Sequence, residues 1–467
     1  MKTYKLFIDG KWVDSVGTEI CSVINPTNEE IVAEIPMAIN KDVDKAVEAA
    51  KNAFPHWNAL NPDERIPYLQ KVADGIRERK EEILQSIIVE LGAARSFAEY
   101  NQVERSADEI EASIQSLSKI NFETEIENAR IIKEGIGVVA AINPWNFPLN
   151  QIQRKITSAL LAGNTVVVKP ASETPTAAII LTEIIEAAGF PKGVFNLLTG
   201  SGSQMGAYLA GHPDVGLISF TGSTEVGKSL FEKAKTTVKH LVLELGGKSA
   251  LVLLEGGDPE LAIKTSIDTL TNNTGQICTA LSRLIVPQNR LQEIEEIATK
   301  YVQSLKVGDP NEKDTIMGPL VSMAQKEKVM EFIEKGKNEG AKLIVGGKSL
   351  PDKGYFVEPT IFSQVDNQMA IAQEEIFGPV LSIIPYQTVE EALTIANDTK
   401  YGLSGAVVGP EEEAFDFAKK MRTGMVLING AGQNNFAPFG GYKESGLGHE
   451  RGHYGIEDYL ETKSIFK

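Results

Sequence analysis

The chain is 467 residues long, 42% hydrophobic and 23% charged, a composition that excludes disorder as its main state. Asp and Glu outnumber Lys and Arg by 63 to 46, and the net charge of −17 repels phosphate, so neither a nucleic acid nor a membrane surface is expected as a partner. No apolar run approaches the ~18 residues of a membrane span, the patch Leu6-Phe7-Ile8 is broken at once by Asp9 and is no secretory signal, and two distant cysteines exclude a disulfide framework.

A cytoplasmic protein of about three domains is expected. No metal is expected either, because His449 and His453 have no third ligand beside them. In chain order, residues 4–16 read as a hairpin turning at Asp9-Gly10. Amphipathic helices follow over 41–54, over 63–92, where Ile66, Leu69, Ile76, Ile83, Ile87 and Leu91 share a face, and over roughly 97–117. From residue 130 the pattern changes. Apolar runs at 137–142, 165–169, 194–198, 217–220 and 240–243 alternate with helical segments at 148–161, 174–188, 202–210 and 223–235. Thr174-Pro175 has the form of a hydroxyl N-cap followed by proline at the first helical position. Such alternation predicts βαβ units and a parallel sheet. Ligands of these sheets bind at the carboxyl ends of the strands, here 143–147, 169–173 and 221–224. A second α/β region follows, with strands at 251–254, 284–286, 342–345 and 380–385 and helices at 259–272, 290–305, 324–337 and 389–396. The tail near Tyr459, Leu460, Ile465 and Phe466 is either an edge strand that pairs with another subunit or simply the chain end.

Three residues stand out chemically. Cys278 lies in Gly275-Gln276-Ile277-Cys278, a polar, glycine-containing stretch where a thiol is exposed and its thiolate stabilised. No histidine neighbours it, which opposes a Cys–His protease. Glu244 follows an apolar strand and precedes Gly246-Gly247; a partly desolvated carboxylate there suits a general base. Asn146, in Pro144-Trp145-Asn146-Phe147-Pro148, presents a neutral amide N–H to a developing oxyanion. The run Phe220-Thr221-Gly222-Ser223-Thr224 enters a helix, whose first N–H groups suit a phosphate, although no Gly-x-Gly-x-x-Gly follows the first strand.

Five segments resemble motifs of the aldehyde dehydrogenase superfamily, in the family's order and spacing: 144–148, Glu244-Leu245-Gly246-Gly247-Lys248, 275–278, Glu374-Glu375-Ile376-Phe377-Gly378-Pro379, and 438–446. The resemblance spans nearly the whole chain. It implies an α/β fold with a Rossmann-type NAD(P)-binding domain over 1–117 and 137–246 and an α/β catalytic domain over 247–437. A small β oligomerisation element and tail would come from 118–136 and 438–467, in a homodimer or homotetramer. It implies that Cys278 attacks an aldehyde, that Asn146 holds the oxyanion, and that Glu244 activates water to release the acid. Lys169 and Glu375 match the positions that hold the cofactor's two riboses, Gly222 and Ser223 the pyrophosphate contact, and Trp145 and Phe377 the wall of the cofactor site. Gln151, Arg154 and Phe436 fall on the substrate side. The presence of Glu244 opposes a coenzyme A-acylating relative, and the triad Cys278, Glu244 and Asn146 opposes a non-catalytic structural protein on the same fold.

The chain also departs from the pattern. Ser172 stands where NAD-preferring members carry Glu, which predicts use of NADP beside NAD, unless Glu173 reaches the ribose instead. Arg154, two helical turns past Asn146, matches the carboxylate anchor of semialdehyde enzymes, but the second arginine of that clamp would fall at Asn272, and aromatic-aldehyde members carry Arg there too. His449 replaces the usual arginine after the glycine motif.

Overall fold

The computed structural model describes residues 2–350 and 353–467. Its first sheet runs in the order Gly446–Leu447, His240–Glu244, Val215–Thr221, Val138–Ile142, Thr165–Lys169, Phe195–Leu197, Leu6–Ile8, Lys11–Val13. The five strands from His240–Glu244 to Phe195–Leu197 are parallel. Val138–Ile142 and Thr165–Lys169 are buried at every position, which is why they read as continuous apolar runs without alternation. From Val138–Ile142 the chain adds two strands on one side, then crosses back to lay Val215–Thr221 on the other. The order reverses between Val138–Ile142 and Val215–Thr221, and the loops leaving those two strands diverge into a crevice.

A second, seven-stranded sheet comes from residues 250–428 and is parallel except for Lys342–Val345. A three-stranded antiparallel sheet joins Glu123–Ile126, Ala129–Gly135 and Leu460–Phe466. The tail strand therefore pairs within its own chain. Gly446–Leu447 pairs with His240–Glu244 at the edge of the first sheet, and Ile456 joins the first core. Three further short strands, Lys2–Thr3, Ile20–Ile24 and Ile31–Pro36, form a separate sheet that the sequence pattern did not suggest. Among the described residues no helix is long and apolar enough to cross a membrane.

The hairpin turns at Asp9 and Gly10, both at positive φ (52° and 72°), the backbone a two-residue hairpin requires. The single helix expected over 63–92 is two, Pro62–Glu78 and Lys80–Leu91, kinked at Arg79. The kink keeps the ladder bonds from Arg79 N–H to Gly75 O and from Ile83 N–H to Arg79 O, so the apolar period runs through it unbroken. The helix expected over 97–117 is interrupted by a wide π turn, Glu99–Glu104, before Arg105–Ser116. Thr174 does not cap its helix. Thr176–Ala188 begins later, the N–H of Thr176 donates to Glu90 Oε2 at 3.0 Å, and the Thr174 hydroxyl donates to Trp145 O at 3.1 Å.

Candidate active site

Two cavities meet at Cys278. The first, about 210 Å³, lies in the crevice and is lined by Trp145, Asn146, Thr221, Gly222, Ser223, Glu375 and Phe377, among others. The second, about 190 Å³, is lined by Phe147, Gln151, Arg154, Asn272 and Phe439 with their neighbours. Cys278 is half-buried, belongs to both linings, and separates one space from the other.

The approach to Cys278 is built on unusual backbone. Asn273, Thr274 and Gly275 are consecutively left-handed, with φ of 49°, 57° and 72°. A side chain on Gly275 would lie 2.4 Å from the backbone of Gly378, and one on Gly247 would lie 2.4 Å from Cys278 O. Both glycines are therefore needed for the strand-end loops to close on the cysteine. The thiol is pushed up to about 12, by burial first and then by the charges of Glu375 and Glu244, with Arg154 opposing. At neutral pH it rests as a thiol.

Asn146 donates its side-chain Nδ2 to Gln276 O at 2.8 Å, and its backbone carbonyl receives Gln102 Nε2 at 2.8 Å and Asn273 Nδ2 at 3.0 Å. The π turn is what brings Gln102 there. One N–H of the amide is thus anchored and the second stays available to a ligand. Glu244 ends its strand opposite Thr221 and Gly446; both carboxylate oxygens are buried and lack a hydrogen-bond partner. Burial, with Glu450 adding to it, raises its pKa well above the usual carboxylate range.

Along the first cavity, Ser223 caps Thr224–Ala234, and Gly222 carries no side chain where one would strike the Phe220 ring. Glu375 is half-buried, accepts Gly247 N–H at 2.9 Å, and its carboxyl is raised by desolvation. The Trp145 and Phe377 rings meet edge to face at 5.3 Å. Lys169 and Ser172 stand outside the lining of this cavity, at the neighbouring strand end. Lys169 Nζ donates to Pro170 O at 2.9 Å and is lowered to about 8 by burial, with Glu173 opposing. The Ser172 hydroxyl donates to Gly200 O at 3.2 Å, and Glu173 is exposed.

On the substrate side the structure alters one expectation and misses another. Arg154 lines the cavity, and its Nε and Nη2 donate to Glu109 Oε2 and Oε1 at 2.7 and 2.8 Å, a bidentate pair that commits one edge of its guanidinium. Phe436 is exposed and lies off the lining, its N–H donating to Asn434 Oδ1. Gln151 does line the cavity and accepts the Thr221 hydroxyl at 3.2 Å. Sequence reasoning also missed a buried network beneath the site. Lys155 Nζ donates to Glu450 Oε1 at 2.7 Å and Thr221 Oγ1 at 2.5 Å. Glu109 receives Asn150, Gln153 and Arg154. Only Glu450, standing just past the 438–446 motif, had a signal that could have found it.

The chain matches the family model described as the aldehyde dehydrogenase family over residues 12–465. A Staphylococcus epidermidis protein provisionally named aldehyde dehydrogenase is 44% identical over 465 residues, covering 99% of this chain and 98% of that one. Among solved structures, aldehyde dehydrogenase C of Pseudomonas syringae, a cysteine-to-alanine mutant complexed with NAD+ and octanal, superposes with a TM-score of 0.98 at 43% identity, over 99% of this chain and 96% of that one. A Mycobacterium tuberculosis aldehyde dehydrogenase complexed with NAD+ gives 0.97 at 38% identity, over 100% and 98%. These matches define the class of the protein, an oxidoreductase acting on aldehydes. The chain belongs to the aldehyde dehydrogenase family.

Proposed function

We propose that the protein oxidises an aldehyde to its carboxylic acid with NAD+, using Cys278 as nucleophile, Asn146 as oxyanion donor and Glu244 as general base. The observation that carries this reading is the meeting of two cavities at Cys278. The first fits the cofactor: it lies at the switch point of the parallel sheet, a helix N-terminus enters it at Ser223, and a half-buried carboxylate, Glu375, lines it. Trp145, Phe377, Gly222, Ser223 and Glu375 would hold the dinucleotide, with Lys169 and Ser172 at its adenosine end. When bound, NAD+ supplies the acceptor for a hydride.

The chain's own residues do the rest. The Cys278 thiol adds across the carbonyl, sulfur bonding to carbon while the proton passes to oxygen. The free N–H of Asn146 and the backbone N–H of Cys278 stabilise the oxygen as charge develops. Loss of the hydride from that carbon to bound NAD+, and of the proton from its oxygen to solvent, would leave a thioester of Cys278. Glu244 takes a proton from water, the hydroxide attacks the thioester, and the carboxylic acid leaves with the thiol restored. The test is NADH formation over a panel of aldehydes. Cys278→Ala is expected to lower it by at least about a thousandfold, and turnover surviving in that variant would overturn the assignment.

Finer features follow the same reading. Ser172 itself carries no acid and Glu173 is exposed, so NADP+ is accepted beside NAD+; a hundredfold preference for NAD+, on the order of a 2.7 kcal/mol difference, would exclude this and point to Glu173 at the ribose. The dinucleotide-binding unit takes 1–117 and 137–246, the catalytic unit 247–437, and the three-stranded sheet is the self-association element of a dimer or tetramer. Ile126 and Phe466, 58% and 73% exposed, support that role for the sheet.

A further inference from the structure

The residue that would hold the oxyanion is itself held on both of its polar groups. Asn146 donates Nδ2 to Gln276 O at 2.8 Å, while Asn273 Nδ2 bridges Asn146 O at 3.0 Å and Gln276 O at 3.3 Å. These bonds close a ring between the loop that leaves Val138–Ile142 and the left-handed turn that leads to Cys278. Gln276 braces that turn: its Nε2 donates to Asn273 O at 3.0 Å and its Oε1 accepts Val321 N–H at 2.9 Å. The ring ties Asn146 to a point two residues before the nucleophile. Both halves of the ring are loop, and the third anchor comes from a helical segment.

That anchor is Gln102. It stands in the π turn Glu99–Glu104, has no exposed surface, and donates Nε2 to Asn146 O at 2.8 Å. Its Oε1 is buried and meets no donor among the described residues, which costs stability. The π turn is a second irregularity. It holds one residue more than an α turn and so rotates the side chains beyond it by about 100° relative to a continuous helix. Side chains support the widened turn: Asn101 Nδ2 donates to Phe97 O at 3.2 Å, and the Ser106 hydroxyl donates to Gln102 O at 2.8 Å. A methionine of the same length would remove the unsatisfied oxygen. What it would not supply is the second N–H on Asn146 O.

We propose that Gln102 is a positioning residue for the oxyanion donor: from the π turn it fixes the backbone of Asn146, and through that backbone it aims the free side-chain N–H at the carbonyl bound to Cys278. The proposal rests on the aldehyde-oxidation reading and deepens it. The substrate oxygen becomes charged twice, when the thiol adds and when hydroxide attacks the thioester, so a displaced donor slows both halves of the reaction. Loss of a group that serves only thioester hydrolysis would spare the first half.

The test is Gln102→Met, with Gln102→Leu as a second non-donating variant should the first not fold. Asn146 O keeps Asn273 in both, so no carbonyl is stranded. The rate of the NADH burst and the steady rate should each fall by about tenfold or more, while alkylation of Cys278 by iodoacetamide and the binding of NAD+ match the parent. The deciding readout is the double variant with Asn146→Ala. In that background Gln102→Met should cost nothing further, because the donor it aims is gone. Losses that add would make Gln102 a purely structural residue and overturn the proposal. An unchanged burst in Gln102→Met, or altered alkylation of Cys278, would overturn it too and leave aldehyde oxidation standing. A burst that Asn146→Ala does not slow would remove the oxyanion role of Asn146 and the proposal with it, and a parent protein that forms no NADH from any aldehyde would sink the underlying reading as well.

Discussion

Burial raises the pKa of both Cys278 and Glu244, and Glu244 adds to the rise at Cys278. Two consequences are measurable. In the protein without ligand, the rate at which iodoacetamide alkylates the Cys278 peptide should rise about tenfold per pH unit from neutrality, because only the thiolate reacts and its pKa lies far above the working range. A rate that is already flat at neutral pH would mean that the thiol is ionised at rest. Glu244, raised above the ~4.3 of a free glutamate, is an effective base only once it has lost its proton. The deacylation rate should therefore climb with pH through an inflection above that value. Glu244→Gln should keep the first equivalent of NADH as a burst and lower the steady rate by about 10²- to 10⁴-fold, and a variant that lost the burst as well would assign Glu244 to the first half of the reaction.

The helix Asn150–Leu161 is buried at every position, although Asn150, Gln151, Gln153, Arg154 and Lys155 lie along it. Glu109, from the neighbouring helix Arg105–Ser116, explains how this is tolerated. Burial alone would raise its carboxyl, but Arg154 and Arg451 outweigh that and hold it well below the usual range. A carboxyl depressed on folding contributes stability that is complete above the unfolded value of ~4.3 and is lost as pH falls through the folded one. Glu109→Gln should cost about 3–5 kcal/mol at neutral pH, since it strands buried guanidiniums. In denaturant titrations the variant and the parent should converge as the solution is acidified; parallel curves would deny the linkage. These contacts also mark where the sequence ceased to be readable. The strand–helix alternation, the switch-point loops and the positions of Cys278, Glu244 and Asn146 were legible, because period, glycine and strand ends are local signals. Glu109 and Arg451 meet from positions 342 apart in sequence, on a helix and on a strained turn, and nothing local distinguishes a buried charged residue from a solvated one. Arg154 was found for its place in the cavity wall, but its pairing with Glu109 was not foreseen, since that partner lies on another helix. The kink at Arg79 was invisible because the apolar face continues across it.

At the scale of the whole molecule, the two large sheets have faces covered by helices, while the three-stranded sheet retains exposed apolar side chains. Its register sets Ile126, Ala129 and Phe466 in one row, so Ile126 and Phe466 stand on the same face of the sheet. The seven-residue pairing of Leu460–Phe466 with Ala129–Gly135 ties this row to the body of the chain, and Lys467, at the end of the strand, reaches Glu125 at 2.7 Å. Exposed apolar residues held rigidly in a sheet fit association with a second copy, because a mobile tail would lose more conformational entropy on docking. Phe466→Asp places a charge in that row without touching either cavity. Light scattering should then report a smaller assembly than the parent protein forms, with the circular dichroism of the fold retained. An unchanged mass would move the self-association surface elsewhere, the exposed Phe231 and Val238 beside the His240–Glu244 strand being the next to test.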